Sequence, residues 1–173
     1  MVSLKQDRAS NDRIKTDLPK GLVAVFAGGT NGVGETTVRH FANLATAPRV
    51  YPVERSQEAG ARIAAQCKTL NPEDTFKFIE SDTSLMRNVD PPCRETASQE
   101  REINLLFLSI ETLQYGTRTD EGLNYPTTLT LYARSRFISN FVPLIRSAKS
   151  LRWVVSVYGA TFEGRVLVDK FQG

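Results

Sequence analysis

Residues 22–34 read Leu22-Val23-Ala24-Val25-Phe26-Ala27-Gly28-Gly29-Thr30-Asn31-Gly32-Val33-Gly34. The first part is a continuous apolar run, the pattern of a strand buried on both faces of a parallel sheet. Glycines at 28, 29, 32 and 34 follow at once, and 35–44 then places Val38, Phe41 and Ala42, with Ala45 just beyond, on one helical face. A strand that passes through a glycine-rich turn straight into a helix has the form of a phosphate cradle. Gly28 allows the tight turn, Gly32 lets a pyrophosphate approach the backbone, and Gly34 lets helix pack closely on strand. Thr30, Asn31 and Val33 complete the loop, and the first helical amides add partial positive charge there. No Gly-Lys-Ser/Thr follows, which excludes a Walker-type loop.

Outward from this stretch the pattern repeats. Residues 50–53 form a second short strand, in which Pro52 lacks an amide and predicts imperfect pairing. A helix fits 57–70, with Ala59, Ile63, Ala64 and Cys67 facing a core and Asn71-Pro72 as its stop. A third strand covers 76–79. Pro91-Pro92 would break a helix interior, so the next helix is expected to start there, with Asp90 as N-cap and Pro91 at its first position. Residues 103–108 are a fourth buried strand. A loop over 114–128 leads to a long helix over 129–147, kinked late by Pro143. Residues 153–157 are a fifth strand. The alternation predicts an α/β fold, a Rossmann-like doubly wound parallel sheet of about five strands with right-handed crossovers.

The chain has 173 residues, 40% hydrophobic and 24% charged, which suits a single folded domain. Residues 1–20 are polar and read as an extension, frayed or folded into one loose amphipathic turn; residues 21–173 are the domain. No apolar run reaches the ~20 residues of a membrane span, and the charged N-terminus lacks a secretory apolar core. Cys67 and Cys93 fit no disulfide framework, and beside the single His40 they fit no metal pattern. Cytoplasmic thiols without metal are the expectation. A net charge of +3 without clustering argues against nucleic acid. Arg134, Arg136, Arg146, Lys149 and Arg152 read as a solvated helix face, and Tyr132, Phe137, Phe141, Leu144 and Ile145 as core.

The spacing Gly28-x-x-x-Gly32-x-Gly34 resembles the cofactor loop of the short-chain dehydrogenase/reductase superfamily. The stretches VFAGGTNGVGETTVRHFA, INLLFLSIETLQYGTRTDEGLN and LYARSRFISNFVPLIRSAKSLRWVVSVYGATFEG look like a fungal branch often found among secondary-metabolite genes. The resemblance covers about residues 20–173 and implies an oxidoreductase moving hydride at a carbonyl or alcohol of a small molecule. It implies cofactor contacts at Gly28, Gly32 and Gly34. Beyond the second strand, Glu54 suits the ribose hydroxyls of NAD, whereas Arg55 with Ser56 suits the extra phosphate of NADP. NADP is the expected cofactor, with NAD the alternative. Asp82 matches the position that holds adenine in the family, or else caps a helix beginning at Ser84.

The family's proton relay is a Tyr with a Lys four residues later, a Ser, and an Asn in the preceding helix. Tyr132 is followed at that spacing by Arg136, and it precedes the fifth strand, where the family's Tyr follows it. Ser156 lies inside the fifth strand, short of the family's Ser, and Asn140 falls too late for the relay Asn. Leu108-Ser109-Ile110-Glu111 replaces the family's Asn-Ala-Gly. Tyr158 and Thr161 are the hydroxyls left as catalytic candidates. The sequence therefore predicts cofactor binding with little turnover. The alternatives are a non-catalytic binding or partner module, or a cofactor-free isomerase or cyclase. Relative to the family the chain looks C-terminally shortened, so the fifth strand is expected to need cover. Either a homodimer through the 129–147 helix or a partner on that strand would provide contacts.

Overall fold

The computed structural model describes residues 3–159. The polar N-terminal stretch forms two helices, α1 (Leu4–Asp12) and α2 (Ile14–Asp17), and neither buries a residue. At the start of α1 the Ser3 hydroxyl accepts from the Gln6 amide, while the Gln6 side chain accepts from the Ser3 amide. This reciprocal cap makes a helix where the lack of apolar periodicity suggested a frayed end or a single turn.

Strand β1 (Val23–Ala27) is buried throughout. Helix α3 (Gly32–Leu44) starts before its apolar pattern does, because Asn31 accepts from the Gly32 amide and opens the helix inside the glycine loop. Strand β2 (Arg49–Glu54) and helix α4 (Gln57–Leu70) follow, the helix capped by the Ser56 hydroxyl on the Ala59 amide. The third predicted strand is split into β3 (Thr75–Phe76) and β4 (Ile79–Glu80). The register sets the gap, Lys77-Phe78, beside Tyr51-Pro52 of β2. The missing amide of Pro52 thus appears as an interrupted ladder in its neighbour.

A 3₁₀ turn (Met86–Asn88) leads into α5 (Asp90–Gln99), and β5 (Leu105–Leu108) follows. Asp90 does not cap α5. Its carboxylate accepts two 2.7 Å bonds from Arg136 and one of 2.9 Å from Asn140, which tie α5 to the long helix. Those partners, Arg136 foremost, hold the Asp90 carboxyl well below the ordinary range. The long helix comes in three parts: α6 (Tyr125–Thr127), a π-helical turn (Thr128–Ala133) and α7 (Arg134–Ser147). Strand β6 (Trp153–Ser156) ends the described sheet.

All pairings among these described strands are parallel, in the order β3-β2-β1-β5-β6, with β4 continuing beyond β3 on the same edge of β2. Alternate residues of β1 feed opposite layers, as the two-residue period of a strand requires. Val23, Val25 and Ala27 pack with Val89 just ahead of α5, Cys93 within it, and Phe137 and Phe141 of α7. Ala24 and Phe26 pack with Val38, Ala42, Ile63 and Cys67 from α3 and α4. The expected core positions Phe137, Phe141 and Ile145 are buried, but Tyr132 is 43% exposed and belongs to no core. Arg134 reverses the reading of a solvated basic face, being only 2% exposed. No helix among the described residues is long and apolar enough to cross a membrane.

One buried charge costs stability. Asp74 is 5% exposed and neither carboxylate oxygen has a hydrogen-bond partner. Burial raises its proton affinity, against a smaller opposing pull from Lys68. The folded chain therefore holds this proton more tightly than the unfolded chain, and stability falls as pH rises through the unfolded and then the folded pKa. Asp74→Asn should stabilise the protein by about 1 kcal/mol at neutral pH. The advantage should shrink as pH falls toward the ordinary value of 3.8, as urea unfolding of the two proteins would show.

Candidate functional site

A cleft of about 500 Å³ opens at the carboxyl ends of β1, β2, β4 and β5. In parallel α/β sheets this end receives ligands, beside the strand where the winding reverses. Its floor is the glycine loop. Gly28 has φ +99°, and a β-carbon there would stand 2.6 Å from Ser109 Oγ and 2.7 Å from the Ile110 amide nitrogen. A β-carbon on Gly34 would fall on the carbonyl oxygen of Gly28. Gly32 has φ +53° and open space around it, so conformation and not crowding asks for glycine there.

Two side chains fasten this loop. Ser109, just past β5, donates from Oγ to the Gly28 carbonyl at 2.7 Å. Arg62 on α4 grips Glu35 with two bonds of 2.8 Å and donates to the Thr30 carbonyl at 2.9 Å. The Arg62 bond lowers the proton affinity of Glu35, so this pair stays ionised across neutral pH.

Past β2, Glu54, Arg55 and Ser56 all reach the cleft wall. Glu54 is half-buried, and burial raises its proton affinity; the backbone amides of Thr30, Arg55 and Gly29 oppose that rise. Its carboxylate thus faces the loop backbone. Arg55 is exposed, and its guanidinium donates to the Tyr125 hydroxyl at 3.3 Å across the cleft mouth. Asp82 lines the wall after β4 and accepts from the Ser84 amide at 3.0 Å, a local turn and not a helix cap.

Of the residues singled out from sequence, the cleft collects Gly28, Thr30, Asn31, Glu54, Arg55, Ser56 and Asp82. Gly32, Val33 and Gly34 form the first turn of α3 beside it. Tyr158 is not among the lining residues. It is 58% exposed past the end of β6, with its ring 4.1 Å from the Arg134 guanidinium carbon. Thr161 lies outside the described residues. Sequence reading missed Ser109, Arg62 and Tyr125 as parts of the site. Ser109 had a signal, since it stands where the family's Asn-Ala-Gly begins; Arg62 and Tyr125 carried none that spacing could reveal.

Architecture and loop together define a Rossmann-type α/β fold. No family model matches the chain. An oxidoreductase of Emericella nidulans is 39% identical over 165 residues, covering 94% of this chain and 49% of the relative. A short-chain dehydrogenase/reductase of Stachybotrys chartarum is 30% identical over 188 residues, covering 98% of this chain and 52% of that one. The chain therefore spans about half the length of the curated relatives it matches. Among solved structures, a metagenomic short-chain oxidoreductase in complex with NADP superposes with TM-score 0.71 at 17% identity, over 85% of this chain and 66% of that one. The RhlG/NADP complex of Pseudomonas aeruginosa gives 0.68 at 18% identity, over 88% and 60% respectively. The chain is similar in sequence to short-chain dehydrogenases/reductases over half their length and shares their fold, as its loop leads one to expect.

Proposed function

We propose that these residues form the cofactor-binding part of an NADP-dependent oxidoreductase acting on a small carbonyl or alcohol. The observation that carries this reading is the loop held open by glycine at 28, 32 and 34 beneath the cleft, with Arg55 and Ser56 at its mouth. Side chains at Gly28 or Gly34 would fill the space a pyrophosphate needs or displace the backbone that cradles it. Arg55 supplies the charge for a 2′-phosphate, Ser56 a hydroxyl, and Ile110 and Leu129 the apolar wall for adenine. Glu54 lines the same wall, and the backbone amides of Thr30, Arg55 and Gly29 favour its carboxylate. When bound, the nicotinamide supplies or accepts the hydride; the chain's own task here is to hold and orient the dinucleotide.

Calorimetric titration of the chain with NADP and NAD tests the reading. Arg55→Ala should weaken NADP roughly ten- to a hundredfold, the value of a charge-assisted hydrogen bond, and leave NAD nearly unchanged. Equal losses for both cofactors would assign the choice to Glu54 instead. Absence of binding by either would remove the oxidoreductase reading.

A further inference from the structure

The loop between β5 and α6 is a built wall of the cleft. Its tip is pinned by Glu121, whose carboxylate accepts from the Met86 amide at 2.6 Å and the Arg87 amide at 3.2 Å. Those bonds hold the Glu121 carboxyl below its ordinary range, with the Met86 amide the larger cause. The loop closes on itself through bonds from the Thr119 amide to the Leu123 carbonyl and from the Tyr125 amide to the Thr117 carbonyl. Asn124 then caps α6, accepting from the Thr127 amide at 3.1 Å. Tyr125 is the first residue of that helix, its ring packed against the core and its hydroxyl reaching Arg55. A phenol fixed at its backbone and ring, with its hydroxyl on the Arg55 guanidinium, is a preorganised donor.

We infer that Tyr125, held by the Glu121-anchored loop, is a specificity-determining residue that donates its hydroxyl proton to the 2′-phosphate of the dinucleotide bound at Arg55. This rests on the NADP reading above and extends it to the opposite wall. Arg55 now donates to the Tyr125 oxygen. With a phosphate between them, the guanidinium turns to the anion, and the phenol, which both donates and accepts, turns its proton to the same anion. One phosphate is then gripped from two walls. Arg62 is committed elsewhere, with three of its five N–H donors on Glu35 and the Thr30 carbonyl and its charge paired with Glu35.

Tyr125→Phe keeps the packed ring and removes only the hydroxyl. It should weaken NADP about tenfold, as loss of one hydrogen bond to a charged group does, and leave NAD within twofold. Glu121→Ala frees the loop and should act in the same direction with Tyr125 intact. In the Arg55→Ala background the Tyr125→Phe loss should change, since both groups contact one phosphate. Circular dichroism of each variant confirms that the fold is kept. An equal loss of NADP and NAD would place the Tyr125 hydroxyl on the shared adenosine and overturn the inference, as would no loss at all. Selective loss with Arg55→Ala but none with Tyr125→Phe leaves the NADP reading standing and removes only this one. No binding of either cofactor by the unaltered chain removes both.

Discussion

Gly34→Ala should cost about 3 kcal/mol of stability and abolish dinucleotide binding, although it adds a single methyl group. In most helices that exchange would stabilise, because alanine is the better helix former. Here the new carbon would fall on the carbonyl oxygen of Gly28, with Ser109 Oγ 2.6 Å away. The obstruction is backbone, so no rotamer change relieves it. Either α3 moves off β1 or the loop is pushed into the cleft. The Gly28 carbonyl also accepts the Ser109 hydroxyl at 2.7 Å, so displacing it strips the fastening between β1 and β5. Gly32→Ala is the informative control. Nothing lies within 4 Å of its added carbon, and the penalty is only that of a positive φ. Urea unfolding should rank Gly34→Ala well below Gly32→Ala. Similar stabilities would show that the loop is not packed as described.

What sequence could tell, and where it stopped, follows the range of the interactions. Strand β1, the glycine turn and α3 were legible because each is encoded locally, by an apolar run, by glycine and by helical spacing. The interrupted third strand was half legible. Pro52 predicted a defect in β2, and the structure places it in the neighbour, between β3 and β4. Asp90 looked like a cap because it precedes two prolines; Arg136 and Asn140, far along the chain, claim it instead. The N-terminal helix was missed because its cap is local but its apolar pattern is absent. In the site, Glu54 and Arg55 were readable as a pair, yet not which of them faces the loop. That depends on the amides of Thr30 and Gly29 meeting β2 in three dimensions. Arg62 and Tyr125 entered through contacts 32 and 70 residues away in sequence, beyond any spacing rule.

Arg134→Leu should destabilise the protein by about 3 kcal/mol, although it replaces a buried charge with an apolar side chain. Two effects oppose each other. Burial disfavours the guanidinium and lowers its proton affinity, and Nε has no partner, so its removal recovers some desolvation cost. Against this, the guanidinium donates at 2.7 Å to the carbonyls of Ile110 and Val157 and at 2.8 Å to Ser156 Oγ. Those groups lie just past β5 and at the end of β6, where the ladder no longer supplies donors. A buried carbonyl left unsatisfied costs about 1–3 kcal/mol, and leucine abandons the buried Ile110 carbonyl together with the part-buried Val157 one, so the loss wins. Arg134→Lys should recover little, since a single ammonium cannot reproduce the planar fork that spans both strand ends. Tyr158→Phe should cost less than about 1 kcal/mol, because the ring under the guanidinium is retained. Urea unfolding of the three variants checks the order. If Arg134→Leu proved as stable as the unaltered chain, the guanidinium would be only filling space, and the strand ends would be held by the ladder alone.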